Sequence, residues 1–562
     1  MRLVECVPNI SDGRHPEVYE AAARAAASAP GVTLLNVDSG AETNRTVVTF
    51  VGEPEAVLEG AFRLTARAVE LIDMGTHHGA HPRLGAVDVV PFVPVAGVTM
   101  DECVALARRL GERVGAELGV PVYLYEAAAS RPERRNLADI RAGEYEGLRE
   151  RLTDPEWRPD FGPATLVPRS GATVIGARTF LVAFNANLNT LDKRLANRVA
   201  LDVREKGRVR RDEHGEPVLD ERGHPVYDPG ILKSVKAVGW VIPEFGCAQI
   251  SMNLTDLDVT PLHVAFDTCD ERARERGLRV TGSEIVGLIP KSALLDAGRH
   301  YLAQMGRSTG VPERSLVHVA LRSLGLSEVK AFEPAERIIE YRLAEPARLV
   351  AMTLGEFTDE LSTDSPAPGG GSVAALAGAL GAALAAMVAN LSHAKKGFEG
   401  RHGQLERIAV RGQALKDRLL AAVDADTAAF DRLLEAMRRP KATPDEQAAR
   451  AAAIAEATVA AIEVPLGVLG ACPEIVELCA EAGAVGLPAS RSDAGTGAQL
   501  ARAAAAGAYQ NVCINLPGLA DRERASALLQ RADTAWAKAV AAHWNAEEEI
   551  LGGLRRAAQP PA

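Results

Sequence analysis

Aromatic residues are scarce in this chain, at 4% of 562 residues, and cysteines are few, seven in all. Cys6, Cys103, Cys247, Cys269, Cys472, Cys479 and Cys513 are scattered, odd in number and without a CxxC pair. That pattern excludes a structural zinc site and argues against a disulfide scaffold. Positive charge is in deficit: 63 Lys and Arg face 74 Asp and Glu, a net charge of −11, so the chain is no general nucleic-acid binder. The opening residues, MRLVECVPNISDG, lack a long apolar signal core and read as a strand and a turn. With unpaired thiols, this predicts a cytoplasmic protein. What is present is a hydrophobic share of 47%, ample for buried cores, over a length that suggests about three to four domain-sized units.

Composition shifts near residue 350. From 351 to 562 there are 56 Ala in 212 residues and no alternating β-branched runs, which predicts an all-helical portion. Earlier, β-branched stretches alternate with helical ones. In residues 1–172, RLVECVP, the pair VTLLNVD and RTVVTFVG, AVDVVPFVPV and PVYLYE read as strands. Residues 16–29, 54–73 and 100–118 read as helices, and the order predicts an α+β layer with helices on one face of a sheet. Residues 173–335 form a second such half. It opens with the β-rich run ATVIGARTFLVAFNANL and has helices at 189–206, 260–276 and 291–305, with KAVGWVI pairing with CAQISMNLTD. The charged stretch 204–230 reads as an exposed loop or hairpin insertion, and 336–350 as a linker. The uncharged run 373–392 is long enough to span a bilayer, but its Ala/Gly content and Asn390 favour a buried bundle helix.

Residues 74–94, MGTHHGAHPRLGAVDVVPFVP, place His77, His78 and His81 in a loop between a helix and a strand. Gly79 and Pro82 oppose a helical metal pair, and no acidic or thiol cluster completes a ligand set. The residues alone leave a structural role, general acid–base work beside Arg83, and metal binding open.

Together with LVECVPNISDG, NVDSGAETNRTVVTFVG and GVTMDEC, this segment resembles the formiminotransferase domain of the formimidoyltransferase-cyclodeaminase family over almost all of 1–335. The resemblance implies transfer of a formimino group from N-formimino-L-glutamate to N5 of tetrahydrofolate, with His81, of the HPR triplet, as the catalytic residue. An imidazole titrating near neutrality can take the N5 proton and return one to the departing glutamate nitrogen. The substrates' carboxylates need cationic or N–H partners. Arg45, Arg83, Lys233 and Lys236 are the candidates, and each can equally be a solvated surface charge. In the family, the segment matching FGPATLVPRSGATV lines the folate site. That assigns Gly162, Pro163, Ala164, Thr165, Leu166, Val167, Pro168, Arg169, Ser170 and Gly171 here.

In the helical portion, Gly369, Gly370 and Gly371 precede Ser372, which reads as an N-cap. Free N–H groups at a positive helix end suit a carboxylate or a polar ring edge; the plain alternative is a tight turn. Small residues at 374, 378 and 382 share one face, as in a bundle core or a subunit interface. Over 414–437, Leu415, Leu419, Ala422, Phe430, Leu433 and Met437 form an apolar stripe that includes Asp426. Asp417, Asp424 and Asp431 fall on an acidic outer face. A carboxylate on an apolar stripe is paired or has work to do.

The strings SPAPGGGSV, VDAD, EAM-x-x-P and GAYQNVCINL resemble the cyclodeaminase half of the same family, and the resemblance assigns its catalytic acid to Asp426. The implied reaction is attack of N10 on the formimino carbon, loss of ammonia and formation of 5,10-methenyltetrahydrofolate. Lys395 and Lys396 are candidates to hold the folate tail, and Tyr509, Asn511 and Asn515 to contact the pterin. The chain is therefore expected to be multidomain, two α+β subdomains followed by an all-α domain at 351–562. Its expected function is that of a bifunctional transferase and lyase of histidine degradation. Tetrahydrofolate, polyglutamylated, is the expected co-substrate, with no metal and no nucleic-acid or membrane partner. A homo-oligomer, at least a dimer, is expected through the Ala/Gly helices. The alternatives are methenyltetrahydrofolate cyclohydrolysis by the helical portion, formyl transfer by the first, or a non-catalytic folate-binding scaffold. The 204–230 stretch is an insertion relative to the family.

Overall fold

The computed structural model describes residues 2–41, 43–79, 82–221, 223–242, 245–343, 348–365 and 367–558. Packing divides the chain into two units. One is Met1–Leu294 with Leu321–Ala344; the other is Leu295–Ala320 with Glu345–Ala562.

The first unit begins β1 (Leu3–Cys6), β2 (Asn9–Ile10), α1 (Pro16–Ala27), β3 (Val32–Gly40), β4 (Arg45–Gly52), α2 (Pro54–Leu71), β5 (Val87–Ala96), α3 (Met100–Glu117) and β6 (Val122–Glu126). Two short helices, α4 (Leu137–Ile140) and α5 (Glu144–Arg151), precede β7 (Thr173–Ala177). These strands form one sheet in the order β1-β4-β2-β5-β7-β6, with β3 paired to β4. Proline in the first turn starts α1 and α2, and a Thr99–Glu102 capping box starts α3. Alternation along the strands sends Val4, Cys6, Phe50 and Phe92 toward these three helices, where they meet Ala26, Leu64 and Leu110 in one core. The opposite face is covered only in part, where Ile140 and Leu148 pack on Tyr123 and Val174.

A second sheet, β11-β12-β8-β13, is antiparallel throughout. Its region comprises β8 (Val182–Leu188), α6 (Lys193–Val203), β9 (Arg208–Val209), β10 (Tyr227–Asp228), β11 (Val235–Ile242), β12 (Cys247–Leu254), α7 (Leu262–Arg274) and β13 (Val280–Val286). The single β-rich run expected to open this half is split. Thr173–Ala177 runs parallel to β5 and β6 in the first sheet, so the break falls after residue 177 and not between 172 and 173. All five of its residues are buried, as suits a strand covered on both faces. Within the charged insertion, β9 pairs with β10, which makes it a hairpin.

Next come α8 (Lys291–Gln304), α9 (Glu313–Leu324), α10 (Pro334–Arg337) and α11 (Ile339–Leu343). Ile339 is buried with Leu3, Leu35 and Val51. Residues 336–343 are thus part of the first unit and not the free linker expected from composition. The helical unit continues with α12 (Leu354–Leu361), α13 (Gly370–His393), α14 (His402–Arg438), α15 (Pro444–Val485), α16 (Arg491–Asn515) and α17 (Arg522–Ala558).

By length and composition α13 and α15 could each cross a membrane, yet Ala375, Ala382, Ala385 and Val388 of α13 are fully buried against other helices. Glycine brings these helices close. A Cβ on Gly378 would lie 3.0 Å from Leu419, and one on Gly381 would lie 2.8 Å from the Gly497 carbonyl. The 374/378/382 face thus packs inside the chain, the bundle-core one of the two roles expected of it. Asp424 accepts the Leu349 N–H at 2.7 Å, and Asp431 pairs with Arg348 at 2.9 Å. The supposed outer acidic face thus anchors the segment that enters the bundle.

Residues 295–320 are built into this unit. The Thr309 N–H donates to Glu406 at 2.9 Å, and the Asn390 amide donates to the Gly310 carbonyl at 2.7 Å. A Cβ on Gly310 would lie 2.5 Å from the Ala409 backbone. Gly310→Ala is expected to destabilise the full chain by about 1–3 kcal/mol, the typical cost of overpacking, read as a lowered melting temperature; an unchanged melt would refute the close fit.

Candidate functional site

In the first unit, a cavity of about 860 Å³ lies over the partly uncovered face of the first sheet and reaches the second. Among its lining residues are Arg45 on β4 and Lys236 on β11, so the structure brings these two predicted cations together. Burial pushes the Arg45 guanidinium down to about 10, against the attraction of Asp88. Lys236 draws the Glu126 carboxyl down, but burial wins and leaves it raised.

The other two predicted cations do not reach this cavity. Arg83 is buried and fully engaged. Its guanidinium donates to Glu144 at 2.9 Å, to Glu146 at 2.6 Å and to His77 Nδ1 at 3.2 Å. It braces the histidine loop. Lys233 is exposed, 3.9 Å from Glu205. It has the surface role that a long cation at a strand end takes by default.

His81 lies outside the described residues. Its neighbours define the loop: His77 Nε2 meets the Asn44 carbonyl at 3.1 Å, and the Asn44 amide donates to the His78 carbonyl at 3.0 Å. Burial holds His77 below the usual imidazole range, and both its ring nitrogens are engaged within the fold, by Asn44 and Arg83. Residues 162–171 do not line the large cavity. They pack beside the same loop: the Met74 N–H donates to the Arg169 carbonyl at 2.9 Å, and the Ala86 N–H to the Ser170 carbonyl at 2.8 Å. Gly171, at φ +66°, sits where a Cβ would press on Gly85 and Leu84.

Sequence reading missed Glu5, Arg141 and Arg178 in the cavity wall. Glu5 had a legible signal, a lone acid in a strand whose four residues are all buried. Burial drives its carboxyl up to about 7, with Arg178 pulling the other way.

In the helical unit, the first turn of α13 meets α14. Gly369 is the N-cap, and Ser372, predicted to be the cap, is two residues inside the helix. Its hydroxyl donates to the Val423 carbonyl at 2.9 Å and lies 3.2 Å from Asp426 Oδ2. A Cβ on Gly371 would lie 2.5 Å from the Asp426 carboxyl carbon, so only glycine admits that side chain. Asn511 of α16 closes the site beside Gly370. Burial raises the Asp426 carboxyl above its usual range, while hydrogen bonds from Ser372 work against the shift. The result is a half-buried acid seated at a positive helix end, its proton held more firmly than on an ordinary aspartate.

Four other predicted contacts are placed or engaged elsewhere. Lys395 and Lys396 follow the far end of α13, whose 24 residues span about 36 Å. Tyr509 donates to Asp533 at 2.6 Å and stacks on Trp536, so it serves the α16–α17 contact. Asn515 donates to the Ala461 and Asn511 carbonyls. Among the described residues, no group of His, Cys, Asp or Glu is placed to hold a metal ion.

Comparison with known proteins gives three family matches. Residues 3–178 match the formiminotransferase domain, N-terminal subdomain; 183–344 match the formiminotransferase domain; and 353–534 match formiminotransferase-cyclodeaminase. The chain is 45% identical over 543 residues to a formimidoyltransferase-cyclodeaminase of Sus scrofa, covering 95% of this chain and 97% of that one. It is 41% identical over 301 residues to a glutamate formimidoyltransferase of Streptococcus pyogenes serotype M1, 54% of this chain and 93% of that one. A methenyltetrahydrofolate cyclohydrolase of Methylorubrum extorquens is 37% identical over 187 residues, 33% of this chain and 90% of that one.

The seat of Asp426 has a stability signature. A carboxyl whose folded pKa lies above its unfolded value costs stability as pH rises through the unfolded pKa, and the cost is complete above the folded one. Asp426→Asn removes that cost. Its melting temperature is expected to match the wild type near pH 3 and to exceed it at pH 8; a deficit at pH 8 would contradict the raised pKa.

Proposed function

The chain belongs to the formimidoyltransferase-cyclodeaminase family, and we propose that its two units divide the two reactions in that name. It is a bifunctional folate enzyme. The first activity moves the formimino group of N-formimino-L-glutamate to N5 of tetrahydrofolate and releases glutamate. The second closes 5-formiminotetrahydrofolate to 5,10-methenyltetrahydrofolate and releases ammonia. Near-complete matching to a relative named for both activities favours this reading over formyl transfer, cyclohydrolysis or a scaffold.

The observation that carries the proposal is the seat of Asp426. The second reaction needs a proton on a departing nitrogen and charge balance for the amidinium-like product. A carboxyl kept above its usual range by burial can deliver the first, and as an anion it supplies the second. Ser372 fixes its orientation, and the glycines let the ligand's flat edge approach the backbone N–H groups. In the first reaction His81 takes the N5 proton and protonates the leaving glutamate nitrogen. Arg45 and Lys236 hold carboxylates across the cavity. Segment 162–171 holds the folate against the histidine loop. In each step one C–N bond forms and another breaks while protein groups move the protons, and no metal is expected.

The remaining features are proposed on the same footing. The folate is polyglutamylated, and its tail tethers the intermediate between sites. The enzyme is cytoplasmic, with no nucleic-acid or membrane partner. It is at least dimeric, a second copy covering Val373, Leu380 and Leu391, which remain exposed on α13.

Incubating the full chain with tetrahydrofolate and formiminoglutamate should yield glutamate, methenyl absorbance and ammonia. His81→Ala is expected to cut the first step by about 10²–10⁴-fold and to spare cyclisation of supplied 5-formiminotetrahydrofolate; Asp426→Ala should do the reverse. Either folded variant losing both activities would refute the division. Leu380→Glu should lower the mass measured by light scattering if α13 forms the contact between copies.

A further inference from the structure

Glu5 is unlike the other acids of the cavity wall. It projects from β1 onto the uncovered sheet face, is only 3% exposed, and accepts no hydrogen bond from any described residue. Its nearest charged influence is Arg178, just beyond β7. Tyr125 on β6 is also in contact with Arg178 and lines the same wall. A buried carboxyl is costly unless something donates to it. Its register partners, Val51 and Val93, offer it no donor. A ligand in the cavity can supply one.

The substrates of the proposed transfer, on which this inference rests, carry such donors in one recurring form. The amidinium of formiminoglutamate and the aminopyrimidinone edge of a reduced pterin each present two N–H groups side by side in a plane. A carboxylate accepts such a pair bidentately. The carboxylates of glutamate or of a folate tail are disfavoured beside an ionised Glu5, because two anions would face each other in a place withdrawn from water. Arg45 and Lys236, elsewhere on the wall, are where those belong.

We infer that Glu5 is a specificity-determining residue of the transferase cavity, accepting a planar pair of N–H donors from the ligand. No bond is made or broken at Glu5. Its role is to select the ligand's flat end and hold it in the cavity.

The test uses the full-length protein and varies each substrate separately in the glutamate-releasing reaction. Glu5→Gln keeps the shape but replaces one acceptor oxygen with a donor. It is expected to raise one KM at least about tenfold, with kcat within threefold and a melting temperature no lower than wild type. A rise for tetrahydrofolate identifies the pterin edge as the occupant; a rise for formiminoglutamate identifies the amidinium. Glu5→Asp, which keeps the charge but retracts it, should raise the same KM, and it serves if the glutamine variant does not fold. Both KM values within twofold of wild type would overturn the inference, as would both rising together with a lowered melt, the mark of a merely structural residue. If the wild-type protein releases no glutamate, the functional reading fails first, and that outcome is separate from a Glu5 result.

Discussion

Withdrawal of a carboxyl group from water, without a cation to neutralise it, is the constraint around which the proposed second reaction centre is built. Asp426 lies on an otherwise apolar helix stripe and meets the first turn of α13 at Gly371. Desolvation pushes its proton affinity up, while Ser372 and the helix end pull it down. The balance depends on the absence of a side chain at residue 371. Any Cβ there would press on the carboxyl and force it to shift. The glycine content of α13 thus shapes the seat of Asp426 as well as close helix packing.

The first unit meets a related problem differently. Its first sheet is sealed by three long helices on one face, and only part of the other face is covered. Polar residues along the remaining strip would be penalised in a closed core. Here they face a cavity, where the cations Arg45, Arg178 and Lys236 are interspersed with the acids Glu5 and Glu126. Such a wall fits a ligand that is itself mixed, with carboxylates at one part and N–H groups at another. An all-basic groove would suit a polyanion and would hold the neutral pterin end loosely.

Much of this was legible from residues alone. Periodicity located α1, α2, α3 and the β3–β4 pair because each is amphipathic and ends in ordinary punctuation. The position of Asp426 followed from a 3.6-residue repeat. What escaped notice depended on long-range partners. Nothing local distinguishes Thr173–Ala177 from the strand that follows it; only parallel pairing with β5 and β6 assigns it to the first sheet. Arg83 looks like a free cation in sequence, yet Glu144 and Glu146, some sixty residues away, claim it. Pro465 and Pro473 would end a helix by local rules, but they sit inside the 42-residue α15, where tertiary packing outweighs the lost hydrogen bonds. Ser372 has the chemistry of a cap but performs a different task, because the glycines before it already begin the helix.

The assignment of residues 295–320 to the helical unit bears on how such a chain can be inherited. Glu406, Asn390 and Ala409 are completed by a stretch that precedes them by some eighty to one hundred residues and lies within the transferase half of the reading frame. A recombination event that joined a transferase gene to a foreign helical gene at the compositional boundary would bring together mismatched surfaces. The two parts are therefore free to diverge in their active centres but bound to drift together along this seam.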